Sequence, residues 1–243
     1  MSGMDLLQTP MYYTRTINNP LFAAKINGKA GKLSYLVLAA DDRNTSVIVP
    51  GEEQSNTVTT EERSYAGVAR IRYDMGNENF VGTMFLNRNF TGAHNYLGGL
   101  DWNLKFWKNW YFQGELFLSH TKEINNTGLF SNTREFGSTG YDAAFNGEKY
   151  YGTGMHLALM KAGRKYNLTL VQNNFSPTYQ TYNGMFPEVN SRTSFMNHRY
   201  TFHINKKYIQ RIRLGIPASL GYNYDGVFKE FNIQPSIYVS MIG

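Results

Sequence analysis

The chain has 243 residues, no cysteine and a formal net charge of +6, with 24 Lys and Arg against 18 Asp and Glu. The lack of cysteine excludes a disulfide scaffold and thiolate metal sites, and the scattered basic residues form no helical stripe or RNA-binding signature, so we expect no nucleic-acid partner. The longest strongly apolar run, Tyr35 to Ala40, is far shorter than a membrane-spanning helix. Residues 1–10 carry no signal-peptide pattern.

Alternation with a period of two residues, rather than the 3.6-residue period of a helix, runs along the chain. After a lead-in segment, residues 1–19, the pattern predicts a single domain, residues 20–243, built from hairpins and one last strand. The predicted strands pair as 21–28 with 33–40, 64–74 with 79–88, 95–106 with 110–119, 149–160 with 166–173 and 192–204 with 208–222, followed by 231–241. The pattern therefore predicts an all-β protein of about eleven strands.

The third of these hairpins separates charged from apolar side chains completely. Trp102 lies on one face of its first strand, whereas Asp101 and Lys105 lie on the other. The return strand repeats the division, with Leu116 on the apolar face and Glu115 on the charged face. This separation indicates two faces in very different surroundings.

Short turns alternate with longer polar connections along the chain. The longer connections are predicted at 41–63, 89–95, 120–148, 174–191 and 223–229. Short turns at one end, long loops at the other and strands of roughly 9–11 residues are typical of outer-membrane barrels. We therefore predict an antiparallel up-and-down transmembrane β-barrel. Since closed bacterial barrels have an even number of strands, we expect a partial barrel of about 10–12 strands from a larger one.

The division of charge also predicts which face meets lipid, because a Lys or Arg facing lipid at the midplane costs about 2–4 kcal/mol. The side chains expected to face lipid are Trp102, Leu104, Phe106, Phe112, Leu116, Leu118, Ile233, Ile237 and Val239. Asp101 and Glu115 are the acids expected to face the lumen. Alternation alone also fits a soluble curved β-sheet with a solvated polar face, which stays open as an alternative.

Basic residues on the polar parity gather near the short-turn end of the strands. They are Arg70, Arg72, Lys105, Arg211 and Arg213. Their placement predicts a basic belt at the periplasmic mouth, which would favour small anionic solutes or hold an acidic plug or domain. The alternative is that they are rim charges paired with Asp74, Asp101 or Glu115.

The connection 173–191 combines turn residues with several aromatic rings. Its candidates for contact with a ligand are Phe175, Tyr179, Tyr182 and Phe186. Such rings can stack on sugars, fold into the lumen as a constriction, or pack within their own loop.

No constellation for catalysis or metal binding is evident in the sequence. The five histidines, His94, His120, His156, His198 and His203, do not follow a metal-ligand spacing. No Ser and His form a local nucleophile signature, so we expect no enzyme, no cofactor and no metal. A barrel-embedded hydrolase of lipid or glycan is the alternative. Gly152 and Gly154 lack the rest of a dinucleotide-binding loop and are expected to make room inside the wall.

Five segments carry a resemblance to a known family: MYYTRTIN (11–18), PLFAAKINGKAGKLSYLVLAA (20–40), ARIRYDMG (69–76), NYLGGLDWNLKF (95–106) and NNFSPTYQTYNGMFP (173–187). They resemble the outer-membrane barrel region of a Bacteroidota family of unknown function. In that family a carbohydrate-binding-family-9-like β-sandwich typically precedes the barrel. The resemblance implies the outer membrane of a Gram-negative bacterium and suggests handling of surface glycans. It supplies no catalytic residues.

The chain departs from that family in two respects. It lacks the upstream sandwich, and its last residues are not a terminal aromatic assembly signal. We therefore expect a piece of a barrel truncated on its C-terminal side. Its predicted role is non-enzymatic: uptake of a solute or glycan, or anchoring of a surface carbohydrate-binding module. The expected partners are outer-membrane lipid and a glycan or small anionic solute, and a soluble β-sheet binding module is the remaining class.

Overall fold

The computed structural model describes residues 16–130, 134–184, 188–206 and 208–241, which form fourteen β-strands. The strands are β1 (Pro20–Ala30), β2 (Leu33–Asp42), β3 (Thr45–Val49), β4 (Asn56–Thr60), β5 (Ser64–Gly76), β6 (Asn79–Phe90), β7 (Ala93–Phe106), β8 (Trp110–Lys122), β9 (Lys149–Ala162), β10 (Tyr166–Phe175), β11 (Ser191–His203), β12 (Ile209–Tyr222), β13 (Phe228–Ile233) and β14 (Ser236–Met241). Within these ranges no helix is long and apolar enough to cross a membrane.

Twelve of the strands form one antiparallel sheet in the order β1-β2-β5-β6-β7-β8-β9-β10-β11-β12-β13, with β14 also paired to β12. Strands β13 and β14 lie end to end along β12, and the break between them falls at Gln234 and Pro235. The Gln234 N–H donates to Pro217 O at 3.0 Å. The prediction of an all-β antiparallel meander is confirmed. In the described part of the chain no ladder joins β1 to β13 or β14. Strand β1 therefore forms one edge of the sheet, and β13 and β14 together form the other edge.

The predicted hairpins all form, with bounds close to those expected, and two connections differ from prediction. The connection between β6 and β7 is only Thr91 and Gly92, because Gly92 adopts a φ of 74° and permits a tight turn. The predicted loop 41–63 contains a separate hairpin, β3 paired with β4. The alternating residues Val47, Val49 and Val58 are buried there, and this local alternation was the signal for the hairpin.

The two faces of the sheet are sharply different. The face that carries Asp101 and Glu115 is here called the inner face, and both side chains are buried on it, at 4% and 3% exposure. The opposite, outer face carries Leu100 and Leu118, which are 56% and 55% exposed. Charge is thus buried and apolar surface is exposed, which is the reverse of a water-soluble β-protein.

The predicted lipid-facing residues all lie on the outer face of the sheet. Leu116, Leu118, Ile233, Ile237 and Val239 are exposed, and Trp102, Leu104, Phe106 and Phe112 are partly exposed. The edge strands β1, β13 and β14 are exposed on both faces, since nothing in the described ranges covers their inner side.

The inner face is filled toward the loop end by an apolar core. Residues of β2, β5, β6, β7, β8 and β10 contribute Leu36, Leu38, Ala40, Ala66, Val68, Met84, Leu86, Leu97, Phe117 and Phe175, which pack with Tyr179 and Val189 of the β10–β11 connection. A second cluster joins the β3–β4 hairpin to the β8–β9 connection above it. Loop side chains therefore occupy this half of the inner face. Toward the short turns the inner face carries buried polar side chains that include Arg70, Asp101, Asn103 and Glu115.

Candidate functional site

A row of polar side chains crosses the inner face from β5 to β10. Each member of the row is the direct cross-strand partner of the next: Arg72 pairs with Gly82, Gly82 with Asp101, Asp101 with Glu115, Glu115 with His156 and His156 with Asn173. Gly82 has no side chain and only completes the alignment. We call Arg72, Asp101, Glu115, His156 and Asn173 the polar row. Residues directly opposite in adjacent strands point to the same face, so the five side chains converge on one level of the interior.

Four residues of the polar row, Arg72, Asp101, Glu115 and His156, line a cavity of about 370 Å³. Its other walls are Glu78, Phe80, Trp102, Asn103, Tyr111, Gln113 and Gly114. Glu78 belongs to the β5–β6 turn, so the cavity extends toward the short-turn end of the sheet. Carboxylates, amides, an imidazole and aromatic rings around one small volume form a lining suited to a polar, hydroxylated molecule.

Arg70 and Asp101 form a buried ion pair beside this cavity. Arg70 Nη2 lies 2.5 Å from Asp101 Oδ2, and both side chains are shielded from solvent. Asp101 Oδ1 makes no hydrogen bond with any described residue, and neither do Nε and Nη1 of Arg70. Buried polar groups of this kind normally have partners, and Asp101, which lines the cavity, offers an acceptor there.

His156 is oriented by its neighbour on β10. Its Nδ1 donates to Asn173 Oδ1 at 2.6 Å, which directs the Nε2 side of the ring away from Asn173. Sequence reasoning set His156 aside because no metal spacing includes it. Its even parity with Gly152 and Gly154 was the available signal that it faces inward.

The residues of the predicted basic belt lie in two groups, one on β5 and β7 and the other on β12. Arg70 pairs with Asp101, Arg72 with Asp74 at 2.8 Å, and Lys105 with Glu78 at 2.9 Å. Arg211 and Arg213 lie on β12, separated from β5 by the six strands β6 to β11. The Arg213 guanidinium lies 5.6 Å from the Tyr238 ring. The belt stays a prediction, and the alternative of paired charges describes Arg70, Arg72 and Lys105.

The β10–β11 connection enters the interior. We call residues 176–184 the plug segment, since they cross the inner face and hydrogen bond to four strands. The contacts are Thr178 Oγ1 to Tyr151 O at 2.6 Å, Gln180 N–H to Ser119 Oγ at 3.3 Å, Asn95 Nδ2 to Gln180 O at 3.1 Å, Tyr182 N–H to Asn95 Oδ1 at 3.0 Å, and Asn183 Nδ2 to Asn87 O at 2.8 Å.

Glycines in β9 make room for the plug segment. A Cβ on Gly152 would lie 2.4 Å from Tyr179 Cα, so no other residue fits there without displacing the segment. A Cβ on Gly154 would lie 3.0 Å from the rings of Phe175 and Tyr179. The expectation that these glycines make room inside the wall is confirmed. The space that they leave is occupied by the plug segment.

The candidate ligand aromatics are buried by this arrangement. Phe175, Tyr179 and Tyr182 have almost no exposed surface, so they present no sugar-stacking platform to solvent. Phe186 lies outside the described residues. Burial, and then the negative charge of Glu115, raise the pKa of the Tyr179 hydroxyl.

Three further buried charged side chains were missed by sequence reasoning. Arg88 Nη2 lies 2.8 Å from Asp42 Oδ2, and both side chains are fully buried at the loop end. Glu123 is fully buried and accepts a hydrogen bond from Tyr150 Oη at 2.7 Å. These side chains lie on the inner face of the strands or in loops that fold over that face. Across the described ranges no group of three or more His, Asp or Glu side chains is placed to hold a metal ion.

Comparison of the sequence with known protein families and with curated proteins finds no match. The resemblance to a Bacteroidota outer-membrane family therefore stays a prediction.

Proposed function

We propose that this chain forms the wall of an outer-membrane β-barrel with a plugged interior, and that it serves binding or uptake of a small polar solute or glycan rather than catalysis. The observation that carries the proposal is the sidedness of the sheet. Asp101 and Glu115 are buried inside, whereas Leu100 and Leu118 are exposed outside. Water would penalise this arrangement and a lipid environment favours it.

Strand length supports the same proposal. The strands from β5 to β12 run for 10 to 14 residues. A tilted strand needs roughly 9–11 residues to cross the hydrocarbon core. Each strand of this central part is therefore long enough to span a bilayer.

Aromatic rings are placed where the borders of the apolar zone would be. At the short-turn end, Trp107 is exposed, and its ring lies 5.3 Å from Phe106 and 6.3 Å from Trp110. At the loop end, Tyr96 and Tyr151 flank His120 on the outer face. Aromatic girdles at both interfaces are typical of membrane barrels.

The interior supports binding more than free diffusion. The plug segment and the apolar core fill the loop-end half, and the cavity beside the polar row remains near the short turns. A lining that contains both carboxylates and paired cations, with Phe80 and Tyr111 as ring surfaces, is suited to hydroxyl groups and to the apolar face of a sugar. The solute class we propose is therefore a neutral or weakly charged polyhydroxylated molecule.

The test replaces a central outer residue with a charge. Leu100→Arg should lower the free energy of unfolding in lipid vesicles by about 2–4 kcal/mol, because the new cation would face hydrocarbon. Thr127→Arg, in the exposed β8–β9 connection, is the matched control and should change stability little. Urea unfolding followed by tryptophan fluorescence measures both. Equal stability of the two variants would contradict the proposal, as would a chain that is monodisperse in buffer without detergent.

A further inference from the structure

A cationic and aromatic patch lies on the outer face of β7, β8 and β9 where these strands meet the long loops. We call it the rim patch, and its members are His94, Tyr96, His120, Lys122, Lys149 and Tyr151. Strand register sets them in two rows. One row aligns His94 with Lys122 and Lys149, and the next aligns Tyr96 with His120 and Tyr151.

The first row concentrates positive charge. Lys122 and Lys149 are direct cross-strand partners, a placement that destabilises an antiparallel pair when the charges are alike. Neither lysine makes an ion pair with another described residue. Glu62 lines the same surface depression as Lys122, yet no ion pair joins them. The fold thus holds two like charges together without an acidic partner.

The second row supplies a rigid aromatic floor. The His94 ring stacks on Tyr96 at 4.7 Å, and the His120 ring lies 4.6 Å from Tyr151. His94 Nε2 and His120 Nδ1 are 3.3 Å apart, so the two imidazoles are in contact. Tyr96 Oη donates to Asn89 Oδ1 at 2.8 Å, which fixes its ring. Tyr151 is 67% exposed and remains available for contact.

The patch sits between two different surfaces. Leu118, two residues before His120 on β8, begins the exposed apolar zone of the outer face. On the other side, Lys122 and Lys149 adjoin the polar β8–β9 connection. A molecule bound here would place a charged group on the lysines and an apolar portion on the leucine side. A lipid headgroup has this combination, whereas a free anion uses only the charged part.

We propose that the rim patch binds the phosphate of a phosphorylated membrane lipid. A compact anion with several acceptor oxygens can accept hydrogen bonds from both ammonium groups and from a histidine N–H. Tyrosine rings at the same depth contact the glycerol or sugar region of the lipid. Basic clusters at the membrane surface recognise anionic headgroups in this way. The inference rests on the proposed membrane location, and it adds a specific lipid site to that location.

The experiment compares two lipids with identical tails. The purified chain in dodecyl maltoside micelles is titrated with dioleoyl phosphatidic acid or with dioleoylglycerol, which lacks the phosphate, and bound lipid is counted by native mass spectrometry. We expect retention of phosphatidic acid only. Lys122→Gln with Lys149→Gln should weaken that binding by about tenfold or more, because both ammonium donors to the phosphate are lost.

The matched control removes the same net charge elsewhere. Lys108→Gln with Lys165→Gln changes two exposed lysines in the short turns at the opposite end, and it should leave phosphatidic acid binding unchanged. Lys149→Gln alone, at an exposed position, should give a partial loss, which keeps the test valid if the double variant folds poorly. Equal loss in patch and control variants would overturn the proposal, as would displacement of the lipid by millimolar inorganic phosphate, which would indicate a free anion site.

Failure of this inference can be told apart from failure of the proposed function. Flotation with dioleoyl phosphatidylcholine vesicles measures membrane insertion independently of the patch. A chain that remains in the soluble fraction contradicts the membrane location and the lipid site together. A chain that floats, but whose patch variants bind phosphatidic acid like the parent, contradicts the lipid site alone.

Discussion

Individual charged residues in the interior are held by specific partners rather than by solvent. Arg70 with Asp101, and Arg88 with Asp42, are ion pairs with almost no exposed surface. Removal of one partner from such a pair leaves a buried charge uncompensated, whereas replacement of both by apolar residues is often neutral. Stability at this scale therefore depends on complete pairs.

The Arg70–Asp101 pair provides a direct test. Asp101→Asn should lower the free energy of unfolding by about 3–5 kcal/mol, because the Arg70 guanidinium loses its counter-charge in the interior. The double variant Arg70→Met with Asp101→Leu should recover most of that loss. Urea unfolding in detergent micelles measures each variant.

The control for that test is Asp41→Asn, which removes the acid of the exposed pair between Asp41 and Arg63. Surface ion pairs contribute little, so its effect should be small. If Asp41→Asn were as destabilising as Asp101→Asn, burial of the pair would not be the cause.

The raised pKa of Glu123 predicts that the stability of the protein depends on pH. Burial, and then the nearby charges of Glu148 and Asp142, raise its pKa from 4.5 to about 7, although the hydrogen bond from Tyr150 opposes this. Because the folded state holds the proton more tightly than the unfolded state, stability is greatest below pH 4.5, falls as the pH rises to about 7 and is then constant.

Glu123→Gln should remove this dependence while it keeps an acceptor for the Tyr150 hydroxyl. At pH 8 the variant should be more stable than the parent by up to about 3 kcal/mol, and at pH 4 the two should be similar. Urea midpoints measured from pH 4 to pH 8 provide the comparison. A parent profile that is flat over this range would show that Glu123 titrates normally.

At the scale of elements, the plug segment decides whether the interior is open. Its anchor is Asn95, whose side chain accepts from Tyr182 N–H and donates to Gln180 O and Thr121 Oγ1. One amide therefore fixes two backbone groups of the segment to β7. The space for the segment exists only because Gly152 has no side chain.

Asn95→Ala should release the plug segment without breaking the sheet. We expect faster limited proteolysis within residues 176–184 and a higher conductance in planar bilayers, since both backbone anchors are lost. Asn44→Ala, at an exposed turn position, is the control and should change neither measurement. Unchanged proteolysis in Asn95→Ala would mean that Tyr179 and its apolar contacts hold the segment by themselves.

At the scale of the whole molecule, the sheet has an apolar outside and two unpaired edges. Strands β1 and β14 expose apolar residues such as Ile26 and Ile237, together with backbone groups that have no ladder partner in the described ranges. Exposed strand edges favour further strand pairing.

The strand pattern and its sidedness were predictable because both follow from a period of two residues. Trp102 and Asp101 had to face opposite sides once a strand was assumed, and the hairpin bounds followed from the turn residues. The alternation along each strand does not determine which side chains of the inner face lie close to one another. Arg72 and Arg213 share a face, but six strands separate β5 from β12, whereas Arg72 and His156 line one cavity. The β3–β4 hairpin was missed because its short alternation lies within a polar stretch.

By itself, the sequence determined an antiparallel sheet of long strands in which Asp101 and Glu115 share one face, since side-chain direction in a strand is a local property of the backbone. Only the tertiary structure decided what fills that face. Ion pairs such as Arg70 with Asp101 bring together residues 31 positions apart, and the contact of Asn95 with Tyr182 joins residues 87 positions apart. Such contacts depend on the path of the loops and on which side chains of distant segments meet, and the two-residue period specifies neither of them.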